Sequence, residues 1–135
     1  MNLRLPSTLE RWLALLVISA LTAGLAQGGA VPRPFVVTKP GAVAAAERLF
    51  VKLDQVGAVV RGCARANPGA APAFCLCRHQ AELRGLEAAY AQTLASHPSW
   101  RDKVVNWTQP QTKVSRALSM SGLARQLQAV AACPR

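Results

Sequence analysis

The sequence predicts a small α+β domain, mainly α, in which a helical hairpin, a short β-hairpin and a C-terminal helix are stapled by disulfides. Three observations predict it. Three segments repeat apolar residues at three- and four-residue spacings, two short β-branched stretches flank Gln109-Pro110-Gln111, and four cysteines lie between Cys63 and Cys133.

The chain opens MNLRLPSTLERWLALLVISALTAGLAQGGAVPRP, with Arg4 and Arg11 ahead of an uncharged apolar run from Trp12 to Ala26. A basic start, a short apolar run and small residues behind it are the layout of a cleavable signal peptide, expected over residues 1–26 with cleavage after Ala26 and Ala30 as the second candidate. The run is shorter than the roughly 20 residues a membrane-spanning helix needs, and nothing downstream resembles a stop-transfer segment. No cysteine stands directly behind it, so no lipid anchor is expected. The expected location is the periplasm or the secreted fraction, and four cysteines in an oxidising compartment read as a disulfide framework.

Residues 27–40, QGGAVPRPFVVTKP, carry three prolines and no helical period, which predicts an extended or disordered lead-in segment. The stapled domain follows over 41–135. Its first helix is expected from Gly41, with Ala46, Leu49, Leu53, Val56, Val60 and Cys63 as the stripe and Phe50 and Gly57 on the flank. Arg48 and Lys52, four apart on the outer side, read as a solvated face. Pro68-Gly69 turns the chain, and Pro72 suits the first turn of a second helix running to His97, with Leu76, Leu83, Leu86, Tyr90 and Leu94 as its stripe. A short connection makes the two helices an antiparallel hairpin. KVVNWT and KVSRALS form the β-hairpin, and Ser119 or Ser121 caps a last helix with Met120, Leu123, Leu127 and Val130 inward and Cys133 at its end.

Cys75 and Cys77 point about 200° apart on a helix, so they aim at different partners and do not bond each other. Two connectivities remain: Cys63–Cys75 with Cys77–Cys133, or Cys63–Cys77 with Cys75–Cys133. The competing use of this segment, F-C-L-C-R-H, is chemistry. Cys75, Cys77 and His79 are the candidate ligands of a soft metal, although zinc sites favour a C-x-x-C spacing, and Cys75 with His79, four apart, form the candidate thiolate and base.

Other catalytic patterns are missing from the sequence. There is no phosphate-cradling glycine loop, H-E-x-x-H, nucleophile elbow or dinucleotide fingerprint, and no cofactor is implied. Acids are few; Glu82 is expected to pair with Arg78 and Glu87 with Arg84 along one helix. The formal charge of +10 falls only to +9 when Arg4, Arg11 and Glu10 leave with the leader. Cations and aromatics concentrate at the β-hairpin, where Arg101, Lys103, Lys113, Arg116 and Trp107 form the candidate anion-binding set. The competing reading packs Trp100 and Trp107 into a core that needs bulky side chains. An exported chain seldom meets nucleic acid, so the expected partner is an acidic protein or an anionic envelope component. The function expected is that of a non-enzymatic envelope accessory or interaction protein, with a thiol-redox or soft-metal protein as the alternative.

Overall fold

The computed structural model of the chain describes residues 33–133; the expected leader over 1–26 and the start of the lead-in segment lie outside the described residues. Within them, four α-helices and a three-stranded sheet enclose one core. Strand β1, Phe35–Val36, leads into helix α1, Pro40–Ala66. Helix α2, Pro72–Arg78, is followed after a single residue by α3, Gln80–Ser96. A 3₁₀ turn at Pro98–Trp100 leads to strands β2, Val104–Thr108, and β3, Ser115–Ser119. Helix α4, Met120–Gln128, ends in a 3₁₀ turn, Ala129–Ala132, that delivers Cys133.

Proline sets several of these starts. Pro40, Pro72 and Pro98 occupy the first turn, where the missing N–H has no intrahelical partner to lose and φ is already helical. Helix α1 stops at Asn67, whose backbone N–H and side-chain Nδ2 both donate to the Cys63 carbonyl, at 3.0 and 2.9 Å. Helix α4 is capped by Ser119, whose Oγ accepts from the Gly122 N–H at 3.1 Å. A Cβ on Gly122 would stand 2.9 Å from that Oγ, so glycine leaves room for the cap. Ser119→Ala is expected to cost about 1 kcal/mol, a drop of roughly 4–8 °C in the thermal midpoint of a domain this small, read by circular dichroism.

The predicted stripes are the core. Leu49 and Val56 of α1, Leu83, Leu86 and Leu94 of α3, and Met120, Leu123 and Leu127 of α4 are buried, together with Val105, Trp107 and Leu118 of the sheet. Strand alternation explains the last three: Val105 pairs with Leu118 and Trp107 with Arg116, so these side chains share the face against the helices. Val104 and Val36 alternate to the other face and are exposed.

Three elements differ from expectation. The sheet has three strands rather than two, because Phe35–Val36 pairs parallel with Val105 and Asn106, an arrangement extended by Val37 N–H donating to the Asn106 carbonyl at 2.9 Å. The second helix is two, interrupted at His79 (φ −107°, ψ 34°), directly after the segment that carries two tethers. The last helix passes into 3₁₀ geometry before Cys133.

All four cysteines are bonded, Cys63 to Cys75 and Cys77 to Cys133, with Cα separations of 5.7 and 5.3 Å. Cys75 is thus tied to the end of α1 and Cys77 to the turn after α4, two directions for two side chains that diverge on one short helix.

Candidate functional site

The C-x-C-x-H segment is a structural junction. Cys75 is buried, and both of the segment's sulfurs are taken up in disulfides. His79, the residue between α2 and α3, sets Nδ1 3.7 Å from Glu82 Oε1, so Glu82 faces this histidine instead of forming the expected pair with Arg78. Among the described residues, no three His, Cys, Asp or Glu side chains are grouped as metal ligands. Thiolate chemistry at Cys75 would first require opening its bond to Cys63.

The hairpin set is not one patch. Arg101 and Lys103 are exposed before β2, whereas Lys113 is exposed in the turn beyond its other end. Five residues of strand, about 17 Å at the usual rise, separate these ends. Pairing closes at Gln109, whose N–H donates to the Val114 carbonyl at 2.8 Å, and the turn is completed by Lys113 N–H donating to the Gln109 carbonyl at 2.9 Å. Lys113 holds φ at 58°, the left-handed region where glycine is the usual residue. Arg116 shares the core face of the sheet and lays its guanidinium over the Phe50 ring, 5.1 Å from the centroid, so it is a packing cation at the sheet edge.

Trp107 leaves the anion-binding set. It is 1% exposed and presents no ring face to a ligand. Its Nε1 donates to Glu47 Oε2 at 2.6 Å, Gln109 Nε2 donates to Glu47 Oε1 at 2.8 Å, and Phe50 meets the indole edge-on at 5.7 Å. Glu47 therefore joins α1 to the sheet. Trp100 is buried as well, its ring stacked on His97.

The fold assembles cations that the sequence kept apart. Lys113 and Arg48 line opposite sides of a hollow of about 630 Å³ between the hairpin turn and α1. Arg48 also lines a cleft of about 350 Å³ between α1 and α3, with Lys52 beside it and Gln92, Ser96 and His97 across from it. Lys52 crosses Gly85 of α3, where an added methyl group would stand 3.5 Å from its Nζ. The pair expected on a plain solvated face thus borders a cleft, and the polar residues opposite belong to another helix.

Among the described residues no helix is long and apolar enough to cross a membrane. Compared with known protein families, curated proteins and solved structures, the chain matches none.

Proposed function

We propose that the chain is an exported, non-enzymatic accessory protein of the cell envelope whose basic surface holds an anionic envelope component such as phospholipid headgroups. The observation that carries this reading is the surplus of unpaired cations. Between described residues, Arg61 is the one lysine or arginine with a carboxylate at salt-bridge distance, Asp54 at 3.7 Å. Unpaired cations of this kind contribute about 1 kcal/mol each near an anionic surface.

Two further features support the reading. A non-glycine residue in left-handed backbone costs roughly 1–2 kcal/mol, and strain of this kind collects at functional positions; this chain keeps a lysine there, at Lys113. The two disulfides suit an oxidising compartment and occupy every sulfur that a redox or soft-metal role needs.

Retention on phosphatidylcholine vesicles doped with phosphatidylglycerol checks the proposal. Binding is expected at low salt and release as the Debye length shrinks toward about 3 Å at molar salt. Arg101→Glu, Lys103→Glu and Lys113→Glu together are expected to weaken partitioning roughly tenfold or more. Arg116 is left in place because it packs on Phe50. Binding that survives both salt and the triple reversal contradicts the proposal.

A further inference from the structure

We infer that the gap between α1, α3 and α4 is a binding site for the tail of a short- to medium-chain fatty acid, whose carboxylate is held at the mouth by Arg61. The inference is independent of the basic-surface reading, because its main attraction is apolar.

The walls come from three helices. Val56 and Val60 of α1, Leu83 and Leu86 of α3, and Leu123 and Leu127 of α4 surround a cavity of about 260 Å³. All but Val60 are buried, so the core fixes their positions before any ligand arrives. Gly57 belongs to the same stripe of α1, four residues after Leu53 and three before Val60, and brings no side chain to the gap. The nearest atoms an added Cβ would meet there belong to the Arg61 guanidinium, with Nη1 at 2.8 Å.

The lining favours hydrocarbon over water. Of the described residues around the gap, Gln126 alone has a polar side chain, and it is exposed at the rim. A confined water needs several polar partners, so water here is poorly held and an apolar tail displaces it favourably. The volume exceeds that of a cavity of about 150 Å³ that holds benzene, and it falls below the roughly 300–1,000 Å³ of sites for drug-sized ligands. One short tail fits; the paired chains of a phospholipid do not.

Charge selects the head group. Arg61 reaches back two turns to Asp54, its Nη2 3.7 Å from Oδ1, and in doing so lays Nη1 over Gly57 at the border of the gap. Both partners of that ion pair are exposed, so the pair is weak. A guanidinium carries five N–H donors, and one edge can stay with Asp54 while Nη1 meets a second carboxylate. No lining residue is acidic, and a cationic head would be repelled by Arg61.

The test is a methyl-resolved nuclear magnetic resonance titration of the oxidised full chain with sodium octanoate, below its micellar range and at constant ionic strength. Saturable shifts are expected at the methyl groups of Val56, Leu83, Leu86 and Leu123, and not at Val105 or Leu118 on the sheet side of the core. From butanoate to octanoate, affinity is expected to rise about fourfold per CH₂, the equivalent of about 0.8 kcal/mol for each group buried. Octanol, which has the same tail and no charge, is expected to bind roughly two- to fivefold more weakly. Arg61→Gln is expected to weaken octanoate by that factor and to leave octanol unchanged. Val60→Trp, at the half-buried edge, is expected to weaken both ligands about tenfold or more, and Ala129→Trp blocks the exposed opposite rim without touching a buried leucine. Shifts that spread through the whole core without saturating overturn the inference, as does an affinity independent of tail length. Equal affinity for octanol and octanoate, or octanoate binding unaltered in both tryptophan variants, overturns it too. The Arg101, Lys103, Lys113 triple variant is expected to keep octanoate affinity within about twofold, since distant exposed charges are screened. Failed vesicle retention with a saturable cavity removes the envelope-surface proposal alone; the reverse result removes the cavity alone.

Discussion

Replacing Cys77 and Cys133 together by alanine is expected to lower stability by about 4 kcal/mol, and replacing Cys63 with Cys75 by about 3 kcal/mol, in urea unfolding at neutral pH. The difference follows from loop length: the first bridge spans a sequence separation of 56 residues and the second 12, and the unfolded chain loses more freedom when the longer loop is closed. The two loops follow each other along the chain without overlapping, so their effects should add to ~7 kcal/mol, comparable to the entire net stability of a small domain. The fully reduced protein is therefore expected to show no cooperative transition at room temperature. An unchanged midpoint in the Cys77, Cys133 double variant would show that the helices hold without their longer tether.

Trp107→Ala is the most damaging single substitution expected, at about 3–5 kcal/mol, because it empties the largest fully buried site in the core. It also removes the donor to Glu47 and the edge-on partner of Phe50. Trp107→Phe keeps a ring but leaves the Glu47 carboxylate without its 2.6 Å hydrogen bond, and is expected to cost about 1–3 kcal/mol. Vesicle partitioning of the folded Trp107→Phe protein is expected to match that of the parent, since the indole is inside. A loss as large as that of the charge-reversal variant would return Trp107 to the binding surface.

The core, the strands and the bridges differ in how far local sequence conveyed them. Leu49, Val56, Leu83, Leu86, Leu123 and Leu127 are buried where their helical spacing put them, since an apolar stripe needs no knowledge of its partner. Ser119 and the helix-starting prolines are equally local. Strand β1 was not legible: Pro34 and Pro40 frame Phe35-Val36-Val37 and read as breakers, and Phe35 finds its neighbour only at Val105. The interruption at His79 has no proline or glycine beside it to announce it. The charged pair Arg48 and Lys52 looked ordinary because its counterparts, Gln92 and His97, come from a helix more than thirty residues on. Spacing showed that Cys75 and Cys77 need different partners, and only the three-dimensional arrangement assigns Cys75 to α1 and Cys77 to Cys133.

The most direct measurement is a disulfide map of the unreduced, folded protein after exposure to an alkylating agent. Trypsin alone is uninformative, because no basic residue separates Cys75 from Cys77 and either pairing leaves the same three peptides joined. Cleavage at Leu76 resolves them. The expected result is no alkylated cysteine and two separate linked fragments, one holding Cys63 with Cys75 and the other Cys77 with Cys133. Alkylated Cys75 or Cys77 in the folded protein, or linkage of Cys63 to Cys77, would contradict both the scaffold described here and the binding role built upon it.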